Sequence, residues 1–154
     1  MRYRKNDIFL IPAGPGIVVC GRAVMKLGTN ILVAIYMSDA ESVDAVDLKA
    51  LVESPPVFLV ETMDLRIRDG SWAMIGNAKP SVEIPIPVYK TQLEFGGDFY
   101  VQEIDGTIGK RLTSDEAASL RRQKSYSPAA VEQAVRAFRG LDEWLPQFDE
   151  MRFS

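Results

Sequence analysis

Apolar positions crowd the first 37 residues in short runs punctuated by Gly and Pro. Ile8-Phe9-Leu10-Ile11 is the first run, closed by Pro12-Ala13-Gly14-Pro15-Gly16, where Gly and Pro supply turn geometry. Ile17 to Met25 is a second run, apolar on both faces except at Arg22. After a turn at Leu27-Gly28-Thr29-Asn30, the run Ile31 to Met37 is apolar throughout, as in a strand covered on both sides. Three strands joined by short turns predict an antiparallel meander.

Residues 39–53 change character. Val43, Val46, Leu51 and Val52 recur near helical spacing, Asp44 is placed to cap a short helix, and Pro55-Pro56 stop it. Val57 to Val60 returns to strand. In Asp64-Leu65-Arg66-Ile67-Arg68 polar and apolar residues alternate strictly, which predicts a strand burying Leu65 and Ile67 and exposing Asp64, Arg66 and Arg68. Asp69-Gly70 then turns the chain, Gly being free to take positive φ. Residues 78–87 hold Pro80, Pro85 and Pro87 without a helical period, as in an extended surface crossing.

Phe99 to Ile104 and Thr107 to Leu112, joined by Asp105-Gly106, predict a last hairpin. Thr113-Ser114-Asp115-Glu116 is a capping box opening a helix to about Gln123. Ser127-Pro128 opens another, with Val131, Val135 and Phe138 on one face and Gly140 at its end. Trp144 and Leu145 anchor the tail. Trp72, Tyr36 and Phe58 are expected in the core, where large aromatics of strands mostly pack.

Composition narrows the chemistry. The chain has 154 residues, 47% hydrophobic and 25% charged, the balance of one soluble globular domain. It has no His and one Cys, so Ser-His-Asp and Cys-His catalysis and an internal disulfide are excluded. Cys20 lies in an apolar strand, where cysteine acts as a small hydrophobe. Asp39, Glu41, Asp44 and Asp47 lack the glycine and closing Glu of a calcium loop. Gly14-Pro15-Gly16 lacks the strand-loop-helix setting of a phosphate loop. Arg121-Arg122-Gln123-Lys124 fits the C-terminus of the preceding helix, offsetting its dipole. A formal charge of −3 argues against nucleic-acid binding. No apolar run reaches the roughly 20 residues of a membrane helix, and the N-terminus makes a poor signal peptide. Segment 39–53 carries five acids against one base, Lys49, as a solvated helix face or a docking face for a basic protein would.

The order Asp7-Ile8-Phe9, Gly21-Arg22, Ser54-Pro55-Pro56-Val57-Phe58, Asp64, then Gly70-x-Trp72-x-x-Ile75-Gly76-Asn77 resembles the immunity protein 26 family of bacterial polymorphic toxin systems. The likeness runs from about residue 4 to the region of Trp144, and its most specific part surrounds Trp72. The resemblance implies a mostly β fold encoded beside a toxin and protecting the producing cell by binding it. It also implies a structural motif, Asp64, Gly70, Trp72, Gly76 and Asn77, setting a turn and a core Trp. Some relatives carry a phosphotriesterase label, implying an organophosphate hydrolase. That reaction normally uses metal-activated water with His ligands, so no catalytic residue is carried over.

The expectation is one α+β domain over residues 1–154, mostly β: a bent antiparallel sheet, with barrel-like closure as one form, and two C-terminal helices. The expected function is toxin inhibition in the cytoplasm by occluding the toxin's active site, with Asp39, Glu41, Asp44 and Asp47 on the binding face. No cofactor, metal, nucleic-acid or membrane partner is expected. The alternatives are a small phosphotriesterase-like hydrolase and an interaction module without a toxin partner.

Overall fold

The structure, a computed structural model, describes residues 2–154. The chain divides into two compact units, one formed by residues up to Val82 together with Ser125–Ser154, the other by Glu83–Lys124.

The first unit is built on the predicted meander. Strands β1 (Asp7–Leu10), β2 (Val18–Leu27), β3 (Asn30–Ser38) and β4 (Phe58–Met63) pair in sequence order, each antiparallel to the next. A short strand β5 (Met74–Asn77) returns to pair with the free side of β1, giving the order β4-β3-β2-β1-β5. The sheet is open, with β4 and β5 at its edges, and does not close into a barrel. The β4 edge is covered by the C-terminal segment: Tyr126 N donates to Glu61 O, and Phe153 N donates to Val57 O. Such a cover removes a template for unwanted strand pairing.

Alternation along the strands sorts side chains between two faces. One face, with Phe9, Val19, Ala23, Val33, Ile35, Phe58 and Val60, belongs to the main core. The helix α4 (Pro128–Phe138) packs on it through Val131, Ala134 and Val135, capped by Ser127 with Pro128 in its first turn. A 3₁₀ stretch, Pro146–Met151, adds Phe148 and Met151. Trp144 anchors the tail as expected, its ring 5.4 Å from that of Phe148 and 6.2 Å from that of Phe58. The opposite face carries Cys20, Arg22, Ala34 and Tyr36, all buried as well.

Two elements differ from the sequence reading here. The helix before β4, α1 (Leu48–Glu53), starts three residues later than a cap at Asp44 requires. Asp47 caps it instead, accepting from Ala50 N, while Val43–Ala45 forms only a 3₁₀ turn. The β-branched Val43 and Val46 oppose helix, and Leu48-Lys49-Ala50-Leu51 favours it. Residues 64–68 are not a strand. Leu65–Arg68 is one helical turn, α2, with Asp64 buried and Leu65 half exposed. Five alternating residues cannot separate the two periods, and the acid-to-base spacing Asp64 to Arg68 is a helical one.

The second unit is a three-stranded antiparallel sheet, β6 (Tyr89–Gln92), β7 (Phe99–Gln102) and β8 (Ile108–Arg111), followed by α3 (Ser114–Ser119). The β7–β8 hairpin and the Thr113–Glu116 capping box stand as predicted. The capping interactions hold the Glu116 carboxyl down at about 2, chiefly through the Thr113 backbone N–H. The helix stops at Ser119, because Leu120 is extended. Arg121 to Lys124 therefore lie just beyond it. The Lys90 ammonium sits at its C-terminus, donating to Ala117 O at 2.8 Å.

Gly21 is the tightest point of the first sheet. It faces Phe9 across the β1–β2 ladder. A Cβ there would lie 2.8 Å from Phe9 Cζ and 3.0 Å from Val33 Cγ1. Gly21→Ala is expected to destabilise the fold by about 1–3 kcal/mol through overpacking, measured as a lower midpoint in urea unfolding.

Candidate functional site

The motif around Trp72 gathers on the N-terminal segment. Asp64 sits at the start of α2, but its carboxylate does not cap that helix. Oδ2 accepts from Tyr3 Oη at 2.9 Å, and Oδ1 accepts from Arg68 Nε at 2.8 Å. Burial first, then the hydrogen bond to Asp64 and its charge, push the Tyr3 phenol well above the usual range. Gly70 takes φ +83° where α2 ends, and its N–H donates to Ile67 O. Trp72 follows, 1% exposed, stacked on Phe9 with ring centroids 5.7 Å apart and planes at 9°. Its indole Nε1 has no hydrogen-bond partner among the described residues.

Gly76 pairs with Ile8 across the β1–β5 ladder, and a Cβ there would lie 2.5 Å from Leu48 Cδ1. Asn77 donates from Nδ2 to Asp7 Oδ1 at 2.9 Å and to Lys5 O at 3.2 Å. Four of the five motif residues thus grip Tyr3, Lys5, Asp7, Ile8 and Phe9. Asn6, at φ +71°, completes the seam. Its side chain accepts from Arg22 Nη1 at 2.8 Å, and Arg22 Nε donates to Tyr36 Oη at 3.2 Å. The sequence marks Arg22 as the polar break in an apolar run. Its partners lie 16 and 14 positions away, so only the fold brings them together.

Chemically this cluster is closed. Both Asp64 oxygens are engaged by hydrogen bonds, and the hydroxyl beside that carboxylate, the Tyr3 phenol, keeps its proton because burial and the Asp64 charge oppose its ionisation. Cys20 is fully buried, and burial pushes its thiol up to about 11, which leaves little reactive thiolate. Among the described residues no group of three or more His, Cys, Asp or Glu is placed to hold a metal ion. No helix of the described residues is long and apolar enough to cross a membrane.

The acidic segment lies elsewhere on the first unit. Asp39, Glu41, Asp44 and Asp47 are all exposed. Asp47 is occupied as the α1 cap, whereas Asp39, Glu41 and Asp44 make no ion pair with the described residues. The segment leaves β3 at Ser38, whose carbonyl accepts from Arg139 at 2.7 Å. Val43, in its middle, is 37% exposed and forms one wall of an open groove of about 430 Å³. The floor and other walls come from Leu10 to Pro15 and Ile17 to Val19. Ser71 and Ala73, the neighbours of buried Trp72, close the far side. Leu48, inside the segment, meets motif residue Gly76, but the four acids make no hydrogen bond or ion pair to a motif residue. The groove between them was not legible in the sequence, because its walls come from three separated stretches.

The model of the family described as immunity protein 26 matches residues 6–101. That span holds every motif residue, the acidic segment and the groove-lining residues. No curated protein and no solved structure matches the chain.

The Asp64 cluster has a measurable signature. Asp64→Ala removes two hydrogen bonds to a buried carboxylate and is expected to cost about 2–4 kcal/mol. Tyr3→Phe is expected to cost about 1 kcal/mol in the parent and less in an Asp64→Ala background, in a double-mutant cycle by urea unfolding. Folding raises the Tyr3 pKa, so its contribution is complete below about pH 10 and is lost as pH climbs toward the folded value. Tyr3→Phe should therefore flatten the fall of stability above pH ~10.

Proposed function

The chain belongs to the immunity protein 26 family, and from that we propose that it neutralises a cognate bacterial toxin by binding over the toxin's active site or substrate groove. The family match is the observation that carries this reading. The whole chain, residues 1–154, acts as one immunity-protein domain in the cytoplasm of the producing cell. The action is stoichiometric and uses no cofactor, and no bond is made or broken at its side chains. An interface of about 1,600 Å² is enough for such a complex.

Within this reading the Trp72 motif is structural: it holds the N-terminal segment and presents the surfaces beside it. Its Asp64 and Asn77 side chains are spent internally, on Tyr3, Arg68, Asp7 and Lys5. Asp39, Glu41, Asp44 and Asp47 supply part of the binding face. All four are exposed, so their field reaches a basic toxin surface and steers the encounter.

Co-expression with the toxin gene beside it is expected to restore growth, and the two proteins to co-purify. Reversing the four acids to Lys is expected to lower the association rate about tenfold or more at low salt and to flatten its salt dependence. Unchanged affinity and salt slope after reversal would remove these residues from the binding face. Metal-dependent phosphotriester turnover by the purified protein, abolished by a chelator, would contradict the whole reading.

A further inference from the structure

The groove beside the acidic segment has a chemistry narrower than the reading above requires. Every residue lining it except Ser71 is apolar, Gly or Pro. Pro12 and Pro15 contribute no backbone N–H, so its wall is poor in donors and unsuited to an anion. Its volume of about 430 Å³ lies in the range of built binding pockets, ~300–1,000 Å³.

The walls are also held in place. Leu10 N donates to Ala73 O at 2.9 Å, and Ile11 N donates to Val19 O at 2.9 Å. Ile17 N closes the turn on Gly14 O. Beneath Ser71 and Ala73 lies the Phe9–Trp72 stack. A cleft fixed in this way loses little freedom on being filled, which favours tight binding.

Val43 lines the groove, and in the sequence Asp44 follows Val43 and Glu41 precedes it by two positions, both exposed and neither in an ion pair with the described residues. Arg139, half-buried, reaches the start of this stretch and donates to the Ser38 carbonyl. An apolar cleft lined by Val43, in a segment whose acids are exposed, complements one kind of occupant, an apolar side chain flanked by cations. We propose that this groove receives a large apolar side chain of the toxin carried on a Lys- or Arg-rich segment. The inference rests on the toxin-binding reading and adds where the contact is anchored. Apolar anchors seated in fixed pockets govern dissociation, while rim charges govern association.

Ala73→Trp tests it. Ala73 is exposed, and only its backbone carbonyl is bonded, so the added indole fills the groove without entering the core. The measurement is surface plasmon resonance against the purified, catalytically inactivated toxin from the neighbouring gene, at two salt concentrations. Ala73→Trp is expected to raise the dissociation rate about tenfold or more with the salt slope unchanged, and Ala73→Ser to behave as the parent. An unchanged dissociation rate for a folded Ala73→Trp, with acid reversal still weakening binding, overturns the groove inference and leaves the toxin reading standing. A parent protein that does not bind the toxin overturns both. A parent that sediments as a dimer and an Ala73→Trp variant that sediments as a monomer assign the groove to self-association and also overturn the inference.

Discussion

Phe9 lies between the Trp72 ring and the bare backbone of Gly21, and the rest of the first unit depends on that stack. The two rings lie 9° from parallel, and both are fully buried. On the Gly21 side the contact leaves no room for a methyl group. β1 is only four residues long, yet it joins β2 to β5. A strand that short contributes few ladder bonds, so its place is fixed by side-chain packing. Removing the stack would release β5 and, with it, residues 71–73 on the groove's rim.

The polar motif residues reinforce this seam from its ends. Asp64 holds Tyr3 before β1, and Asn77 holds Asp7 at its first residue. Between them Asn6 binds Arg22, a fully buried cation on the sheet face opposite Phe9. Buried charges are tolerated only where hydrogen bonds replace water. The seam is thus held by packing on one face and by polar groups on the other. This arrangement separates two jobs in the proposed account: the motif fixes the shape, and the groove and the acidic segment meet the partner.

Much of this was legible in the sequence and some was not, for physical reasons. Continuous apolar runs with Gly and Pro between them gave the meander β1–β3, and Ser127-Pro128 and Gly140 bounded α4 correctly. Trp72, Tyr36 and Phe58 are buried as expected. The alternation at 64–68 misled, because a strand and a single helical turn both bury Ile67. The deciding facts are the tertiary bonds of Asp64 to Tyr3 and of Trp72 N to Arg66 O. The helix cap fell to Asp47 because helix-forming residues follow it, whereas β-branched Val43 and Val46 flank Asp44. The strands β5 and β6 have four residues each and little alternation, and the sequence reading did not mark them. Of the candidate site, the acidic segment was visible as composition. Its juxtaposition with an apolar groove was not, since residues 10–19, 43 and 71–73 meet only after folding.

The central claim is that one part of this surface holds the fold and another meets the toxin. Hydrogen exchange of the free protein and of its complex with the cognate toxin tests it most directly. The account predicts that amides of Ile8 to Leu10 and of Gly76 and Asn77 are already protected in the free protein and unchanged in the complex. Amides of residues 13–17 and 39–47 should gain protection on binding. Protection gained at Asp64 to Gly70 and at Ile75 to Asn77, with residues 13–17 and 39–47 unaltered, would contradict it.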